Sequence, residues 1–172
     1  MKRKVVLAAA LCLALLTTLA VASPAAQAGA TFITYTAQET PVALDFSAMV
    51  PSGSVLKMTM ANHLLDSGAT HPWGNADVFT HSSWVIHTAG GVPTDSRFGG
   101  SYETVGPYGD TEGWFTGSMS WITGEMFYRF SGKGVSGDLV GTVWTGTCHS
   151  PSFPALPTQM KVRVLVPGGL EP

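Results

Sequence analysis

The sequence predicts an all-β protein: a single small antiparallel β-barrel of about seven or eight strands, with a β-sandwich as the alternative. Three observations support this prediction. Large and small side chains alternate in short runs, glycine-bearing turns separate the runs, and no window after the N-terminal segment shows the apolar period of an amphipathic helix. Several runs carry large residues on both faces, which suits a curled or two-layered sheet. A barrel also removes exposed strand edges.

Residues 1–28 are predicted to be a secretory signal peptide. Three basic residues at positions 2–4 precede an apolar run at positions 5–21, and Ala26-Gln27-Ala28 offers small residues at a cleavage point. The alternative is a membrane anchor, since about 17 apolar residues can just span a bilayer. No positively charged stop-transfer flank follows the run, so the signal peptide is favoured. We therefore expect a secreted or periplasmic protein with no membrane span after cleavage.

Cleavage after Ala28 leaves residues 29–172, which are enough for one β-barrel domain with its own core. This segment holds six Lys and Arg against eleven Asp and Glu, a formal charge of −5. Nucleic acid is not an expected partner, because there is no basic stripe for phosphate binding. Cys148 is the one cysteine of the segment, so an internal disulfide is not expected. We expect it to be buried as a small hydrophobe, while a cross-linked oligomer is an alternative.

The first half of the domain is predicted from alternation and turn residues. The predicted strands are 32–37, 54–63, 77–88 and a short one at 102–105. The pattern of residues 42–49 fits either a short helical turn or a strand. The first strand is expected to end before Glu39-Thr40-Pro41. In the strand at 77–88, Val78, Trp84 and Ile86 lie on the face opposite to Phe79, His81, Val85 and His87. The Gly, Pro, Ser and Asp content of residues 66–76 and 89–100 predicts loops in these two segments.

The second half is predicted to contain a three-stranded meander at 111–147. Phe115 and Trp121 share one face of its first strand, and Trp114 lies on the other. Glycine-bearing segments at 122–124 and 132–138 are expected to form its turns. Three prolines predict an irregular segment at 149–157, and strict alternation predicts a final strand at 158–166.

No metal site and no cofactor are expected. His81 and His87 share a strand face but lie about 20 Å apart at the usual strand rise. The spacing of the histidines matches no zinc or copper signature. Four carboxylates suggest an acid and base pair, but solvated strand and turn positions are the simpler interpretation. They are Glu103, Asp110, Glu112 and Glu125. No nucleophile-elbow motif is present, so no catalytic residue is assigned.

The candidate ligand-binding residues are a loop and a set of strand side chains. His71, Trp73 and Asn75 lie in the loop 71–77, which would orient a small ligand at a barrel mouth. Alternatively, Pro72 and Trp73 fold this loop over the barrel end. The strand candidates are His81, Trp84, Trp114, Trp121, Tyr128 and Trp144. If several of them point inward, they line a pocket for an apolar molecule, whereas a filled core is the alternative.

The segment 113–141 resembles allene-oxide-cyclase-like and dirigent-like barrels. It contains Gly-Trp-Phe-Thr-Gly and then Gly-Lys-Gly-Val-Ser-Gly-Asp-Leu-Val-Gly, which fits the Gly-x-Gly-x-x-Gly-[Asp/Glu]-Leu-x-Gly stretch of those families. The match covers under a third of residues 29–172. The resemblance implies a small β-barrel with a central cavity and hydrophobic or phenolic ligands. No catalytic residue of those families maps onto a matching position, so their activities are not transferred.

Three functional hypotheses follow. The first is an exported, non-enzymatic β-barrel that binds a small, largely apolar ligand in its cavity or mouth. The second is a structural or interaction protein of the cell envelope with a filled core, and the third is an allene-oxide-cyclase-like isomerase. A side-chain-filled interior would exclude the first hypothesis. A buried polar group with a shifted pKa in the cavity would favour the third.

Overall fold

The computed structural model describes residues 29–68 and 72–168, which form one antiparallel sheet of nine strands. The strands are β1 (Thr31–Phe46), β2 (Val50–Ser52), β3 (Val55–Ser67), β4 (Ala76–Ala89), β5 (Val92–Gly106), β6 (Gly109–Ser120), β7 (Met126–Gly134), β8 (Val143–Ser150) and β9 (Thr158–Val166). A short 3-10 turn, Gly137–Leu139, lies between β7 and β8. The predicted signal peptide lies outside the described residues.

The sheet closes into a barrel through its first strand. β1 pairs with β9 along its first half and with β3 along its second half, so eight strands complete the circle. The three-residue β2 pairs only with the start of β3 and extends the sheet beside β1. Every pairing is antiparallel. The all-β barrel prediction is therefore confirmed, and the sandwich alternative is not observed.

Several predicted strands match the structure closely. The meander at 111–147 corresponds to β6, β7 and β8, and the final predicted strand coincides with β9. The face assignment in β4 is also correct, because Val78, Trp84 and Ile86 are buried whereas Val85 is exposed. Alternation worked here because each strand has one face inside the barrel and one in solvent.

Two predicted breaks in the sheet are wrong. The expected loop at 89–100 is a tight turn at Gly90-Gly91, where both φ angles are positive (59° and 82°), followed at once by β5. The expected end of the first strand before Pro41 is also wrong, since β1 continues to Phe46 with a register irregularity after Pro41. In both places long-range pairing outweighs the local preference of Gly and Pro for turns.

Two hydrophobic clusters fill most of the barrel interior. One contains Tyr35, Trp73, Trp144 and Cys148 with the inward side chains of β9, and the other centres on Trp84, Phe98 and Phe115 with their neighbours. Cys148 is 2% exposed and is a free thiol, as expected from the sequence. In residues 29–68 and 72–168, no helix has the length and apolar character needed to cross a membrane.

Candidate functional site

A cavity remains inside the barrel between the two clusters. The space open to the centres of water molecules is about 90 Å³, well above the ~10–15 Å³ that one buried water requires. Inward side chains of all eight barrel strands line it. Its walls are mostly aromatic and aliphatic, with a small number of polar groups. The interior of this barrel is therefore not completely filled by its own side chains.

A pair of buried carboxyl groups forms the polar centre of this cavity. Glu39 on β1 lies directly opposite Asp66 on β3 in the antiparallel register, and both side chains line the cavity. They are 8% and 6% exposed, respectively. Side chains directly opposite on neighbouring strands have Cβ atoms roughly 4.5–5.5 Å apart. The register thus holds two buried acids close together inside the barrel.

Glu39 is held in its protonated form at neutral pH. Burial, together with the nearby Asp66, raises the pKa of Glu39 from its ordinary value of 4.5 to about 8. The phenol of Tyr128 on β7 donates a hydrogen bond to Glu39 Oε2. This contact crosses the barrel interior from β7 to β1. It orients the carboxyl group toward the cavity and satisfies one of its oxygens.

Other titratable groups around the acid pair are also kept neutral. Burial raises the pKa of the Tyr35 and Tyr102 phenols above their usual range, and the acids near them add to the effect. Burial likewise raises the pKa of the Cys148 thiol, with smaller contributions from Glu39 and Asp66. A thiol in this state is a poor nucleophile. Cys148 therefore packs as a small neutral group in the hydrophobic cluster of Tyr35 and Trp144.

Tyr102 on β5 packs against glycines of β6 and β7. A Cβ atom added at Gly132 would lie 2.2 Å from the Tyr102 hydroxyl, and one added at Gly113 would lie 2.7 Å from its ring. The missing side chains of these glycines leave the room in which the Tyr102 ring packs inside the barrel.

Two further polar side chains point into the cavity without a hydrogen-bond partner among the described residues. They are Asn62 on β3, through Oδ1, and Thr80 on β4, through Oγ1, and they lie directly opposite each other in the register. Thr80 is 7% exposed. A buried polar atom left without a partner costs roughly 1–3 kcal/mol. Groups of this kind point to a ligand or an ordered water in the cavity.

Three aromatic rings close one end of the cavity. Tyr35 lies 6.1 Å from Trp73 and 6.3 Å from Trp144, both edge to face, and the two tryptophans are 4.9 Å apart between centroids. Trp144 donates its indole N–H to Thr142 Oγ1 at 2.6 Å. Trp73 belongs to the loop between β3 and β4 and is buried against the other two rings. The Trp73 side chain therefore packs into the barrel interior.

A second group of rings lies at the opposite end of the cavity. Trp84 stacks on Phe98 with centroids 4.1 Å apart, and Tyr128 approaches Phe98 and Phe115 edge to face. Trp84 donates its indole N–H to Ser82 Oγ at 2.9 Å. Because the indole N–H of Trp84 is hydrogen-bonded within the barrel wall, these rings present mainly apolar surface to the cavity.

The structure separates the candidate residues into two groups. Trp73, Trp84, Tyr128 and Trp144 line the cavity. The others do not: Asn75, His81 and Trp114 are exposed on the outside, and Trp121 is partly buried just beyond β6 without lining the cavity. His71 lies outside the described residues. The strand candidates divide because His81 and Trp114 occupy the outward phase of the alternation.

The acid pair was missed, because Glu39 and Asp66 were both assigned to loops. A usable signal was present in the alternation. Tyr35 and Ala37 share the inward face of β1, and the next position of that period is Glu39. Likewise Met60, Asn62 and Leu64 lead to Asp66 on β3. Continuing the period past the apolar residues would have placed both carboxyl groups inside.

Three of the four acids considered from sequence are exposed, whereas Asp110 is half-buried and accepts a hydrogen bond from Ser136 Oγ at 2.8 Å. Glu103 and Glu112 are exposed, and Glu112 pairs with Lys133 at 3.3 Å. Outward histidines also pair with single acids: His63 with Asp77 at 2.7 Å, His87 with Asp95 at 2.6 Å and His149 with Glu125 at 3.1 Å. Within residues 29–68 and 72–168, no group of three or more metal-ligating side chains comes together.

Neither models of known protein families nor curated protein sequences match this chain. Function must therefore be argued from the chemistry of the cavity itself.

Proposed function

We propose that this is an exported β-barrel protein that binds a small, largely apolar molecule inside the barrel. The observation that carries the proposal is the aromatic cavity into which Glu39, Asn62 and Thr80 direct polar atoms. Binding sites for small molecules are typically apolar concavities with a few convergent polar groups that orient the ligand. Export follows from the predicted signal peptide at 1–28, and the family resemblance implies the same kind of cavity.

The composition of the interior favours binding over a purely structural role. Buried oxygens without a hydrogen-bond partner destabilise a fold unless something in the cavity compensates them. A barrel selected only for its surface would be more stable with apolar residues in place of Asn62 and Thr80. Positions that break the local rules of core packing are expected at functional sites.

The proposal is tested by native mass spectrometry of the exported protein, purified gently from its own host. We expect an added mass that disappears on denaturation. The Val78→Phe variant enlarges an inward side chain of β4 that lines the cavity, and it should lose the added mass. Val85→Phe makes the same change on the outward face of β4 and should keep it.

Two outcomes would count against binding. One is a bare mass for the natural protein, together with no uptake of added hydrophobic compounds. The other is an added mass that Val78→Phe retains as fully as Val85→Phe, which would place the molecule outside the barrel. Thermal unfolding of both variants shows whether the enlarged side chains leave the barrel folded, since overpacking typically costs ~1–3 kcal/mol.

Acid and base catalysis is the second candidate function, and one observation favours it. Burial and Asp66 raise the pKa of Glu39 to about 8, and Glu39 accepts a hydrogen bond from Tyr128 and lines the cavity. Such a carboxyl group can give or take a proton near neutral pH.

The two candidate functions, binding and catalysis, are distinguished by whether the protein converts the bound compound or releases it unchanged. The bound compound is extracted, incubated with fresh natural protein or with Glu39→Gln, and then analysed for isomers. Catalysis predicts conversion by the natural protein that falls about 100-fold or more in the variant. Recovery of the unchanged compound from both proteins would support binding without chemistry.

A further inference from the structure

We propose that the ligand is an uncharged molecule with a hydroxyl group on an apolar body, and that this hydroxyl group binds between Asn62 and Thr80. This inference rests on the proposed binding function and specifies the chemical class of the ligand and the wall that orients it. Two buried oxygens, the register that brings them together and the uncharged groups around them support it.

The two oxygens belong to side chains that face the cavity from neighbouring strands. Asn62 on β3 and Thr80 on β4 lie directly opposite each other in the antiparallel register, and both line the cavity. Asn62 Oδ1 and Thr80 Oγ1 are buried and have no hydrogen-bond partner among the described residues, and Thr80 is 7% exposed. They are therefore not bonded to each other, although residues in such positions have Cβ atoms roughly 4.5–5.5 Å apart. A small group placed between them would contact both oxygens.

The hydrogen-bonding capacity of these two atoms specifies the head group of the ligand. Asn62 Oδ1 only accepts hydrogen bonds, whereas the Thr80 hydroxyl both donates and accepts. A ligand hydroxyl would donate its proton to Asn62 Oδ1 and accept a hydrogen bond from Thr80 Oγ1. A carbonyl or ether oxygen has no proton to donate and would leave Asn62 Oδ1 without a partner. A pure hydrocarbon would leave both oxygens unpaired, at the full cost of their desolvation.

The surroundings of the two oxygens favour an uncharged head group. In the part of the chain that the structure describes, no Lys, Arg or His lines the cavity, so a carboxylate or phosphate would be buried without a cation. Tyr102 lies opposite Thr80 on β5, and burial keeps its phenol protonated by raising its pKa above the usual range. Glu39 holds its own proton at pH 7 and already accepts a hydrogen bond from Tyr128. None of these groups requires a charged partner.

Apolar walls on both sides of the oxygen pair would hold the rest of the molecule. Leu64 and Val78 flank the pair toward one end of the barrel, and Trp84 and Phe98 lie toward the other. All four side chains are buried and line the cavity. Because the space open to the centres of water molecules is about 90 Å³, we expect a compact body on the scale of a small ring.

The test uses three uncharged probes that share a cyclopentyl ring and differ in one group: cyclopentanol, cyclopentanone and methylcyclopentane. Protein-observed NMR titration of the exported protein, freed of bound material, measures each dissociation constant at pH 7. We expect cyclopentanol to bind at least about tenfold more tightly than the other two, because a site built to hydrogen-bond a hydroxyl rejects analogues that leave its buried polar atoms unpaired. Cyclopentylamine and cyclopentanecarboxylate, which are charged at this pH, should also bind more weakly than the alcohol.

Variants test whether the two oxygens are the source of this selectivity. Thr80→Val replaces the hydroxyl by a methyl group of similar size, and Asn62→Leu replaces the amide by an apolar group. Each should lower the affinity for cyclopentanol about tenfold without lowering the affinity for methylcyclopentane. Thr147→Val makes the first change on the outward face of β8 and should alter neither affinity.

The ligand-free protein supplies a readout that does not depend on any probe. Thr80→Val removes a buried oxygen that has no partner in the barrel, so the midpoint of urea unfolding should stay the same or rise. The same curves show that each variant is folded. A lower midpoint, together with equal affinities of the natural protein for cyclopentanol and methylcyclopentane, would show that an ordered water serves this oxygen and would overturn the inference.

The failure of this inference differs from the failure of the proposed function. If cyclopentanone or methylcyclopentane binds as tightly as cyclopentanol, or if a charged probe binds more tightly, the barrel binds small molecules without selecting a hydroxyl group. If no probe binds, or if the mass retained by the natural protein belongs to a compound without a hydroxyl group, the inference is also overturned. The proposed function would still be decided separately by the added mass and its loss in Val78→Phe.

Discussion

Glu39 on β1 lies directly opposite Asp66 on β3, and both carboxyl groups are buried in the same cavity. This relationship exists because β1 changes partner along its length, pairing with β9 first and with β3 later. Glu39 pairs with Thr158 of β9 on one side and Asp66 on the other. The acid pair therefore lies where β1 connects β9 with β3 and so closes the sheet into a barrel. The strands that close the barrel also bring its buried acids together.

The first prediction concerns stability against pH. The pKa of Glu39 is raised in the folded protein to about 8, above its ordinary 4.5, so the folded state holds this proton more tightly than the unfolded state. Its contribution to stability is therefore fully present below about pH 4.5 and is lost as the pH rises toward 8. At about 1.4 kcal/mol per pKa unit, the loss amounts to a few kcal/mol.

Glu39→Gln should remove this part of the pH dependence. Urea unfolding at pH 5, 7 and 9 measures it as the difference between natural protein and variant. Glu103→Gln, an exposed acid, is the matched control and should follow the natural protein. Parallel curves for the natural protein and Glu39→Gln would show that Glu39 does not hold its proton in the fold.

The second prediction concerns the hydrogen bond between Tyr128 and Glu39. Tyr128→Phe removes the hydroxyl and leaves a buried carboxyl oxygen without this donor, which should destabilise the fold by ~1–3 kcal/mol. Tyr108→Phe removes the same atom from a residue that is 47% exposed, and it should cost less than ~0.5 kcal/mol. Denaturant titration compares them, and equal effects would contradict the role of the bond.

The third prediction concerns the ring that covers one end of the cavity. Trp73→Ala removes the contacts with Tyr35 and Trp144 and should destabilise the barrel by ~3–5 kcal/mol. Trp114→Ala, an outward Trp that is 56% exposed, should cost well under half of this. Thermal unfolding measures both. A small effect at Trp73 would mean that its loop does not hold the barrel end closed.

The fourth prediction concerns Cys148. Because the thiol is 2% exposed and its pKa is raised by burial, it should resist iodoacetamide in the folded protein and react only on unfolding. Mass spectrometry after timed alkylation, with and without denaturant, measures this difference. The exported protein should also keep one mass with and without reductant. Rapid labelling under native conditions, or a dimer lost on reduction, would contradict the burial of Cys148.

The sequence by itself determined the fold class and most of the strands. Val78, Trp84 and Ile86 alternate with exposed residues, and this local period alone predicts one inward and one outward face. The same is true of the final strand, whose predicted limits coincide with β9. Such patterns are readable because side-chain direction in a strand depends only on adjacent residues. Once it is known which face of a strand points inward, the alternation also gives the burial of Trp144 and the exposure of Trp114.

Only the tertiary structure decided which polar side chains meet inside the barrel. Glu39 lies beside turn-forming residues and Asp66 beside a glycine-rich loop, so local preference argued against strands at both positions. Their meeting depends on the register between β1 and β3, on the closure of the barrel and on a Tyr128 that reaches across it. These relationships join residues far apart in the chain, and no local period contains them. The physical reason is that register and closure are set by the pairing of whole strands, while alternation reports only which face each residue occupies.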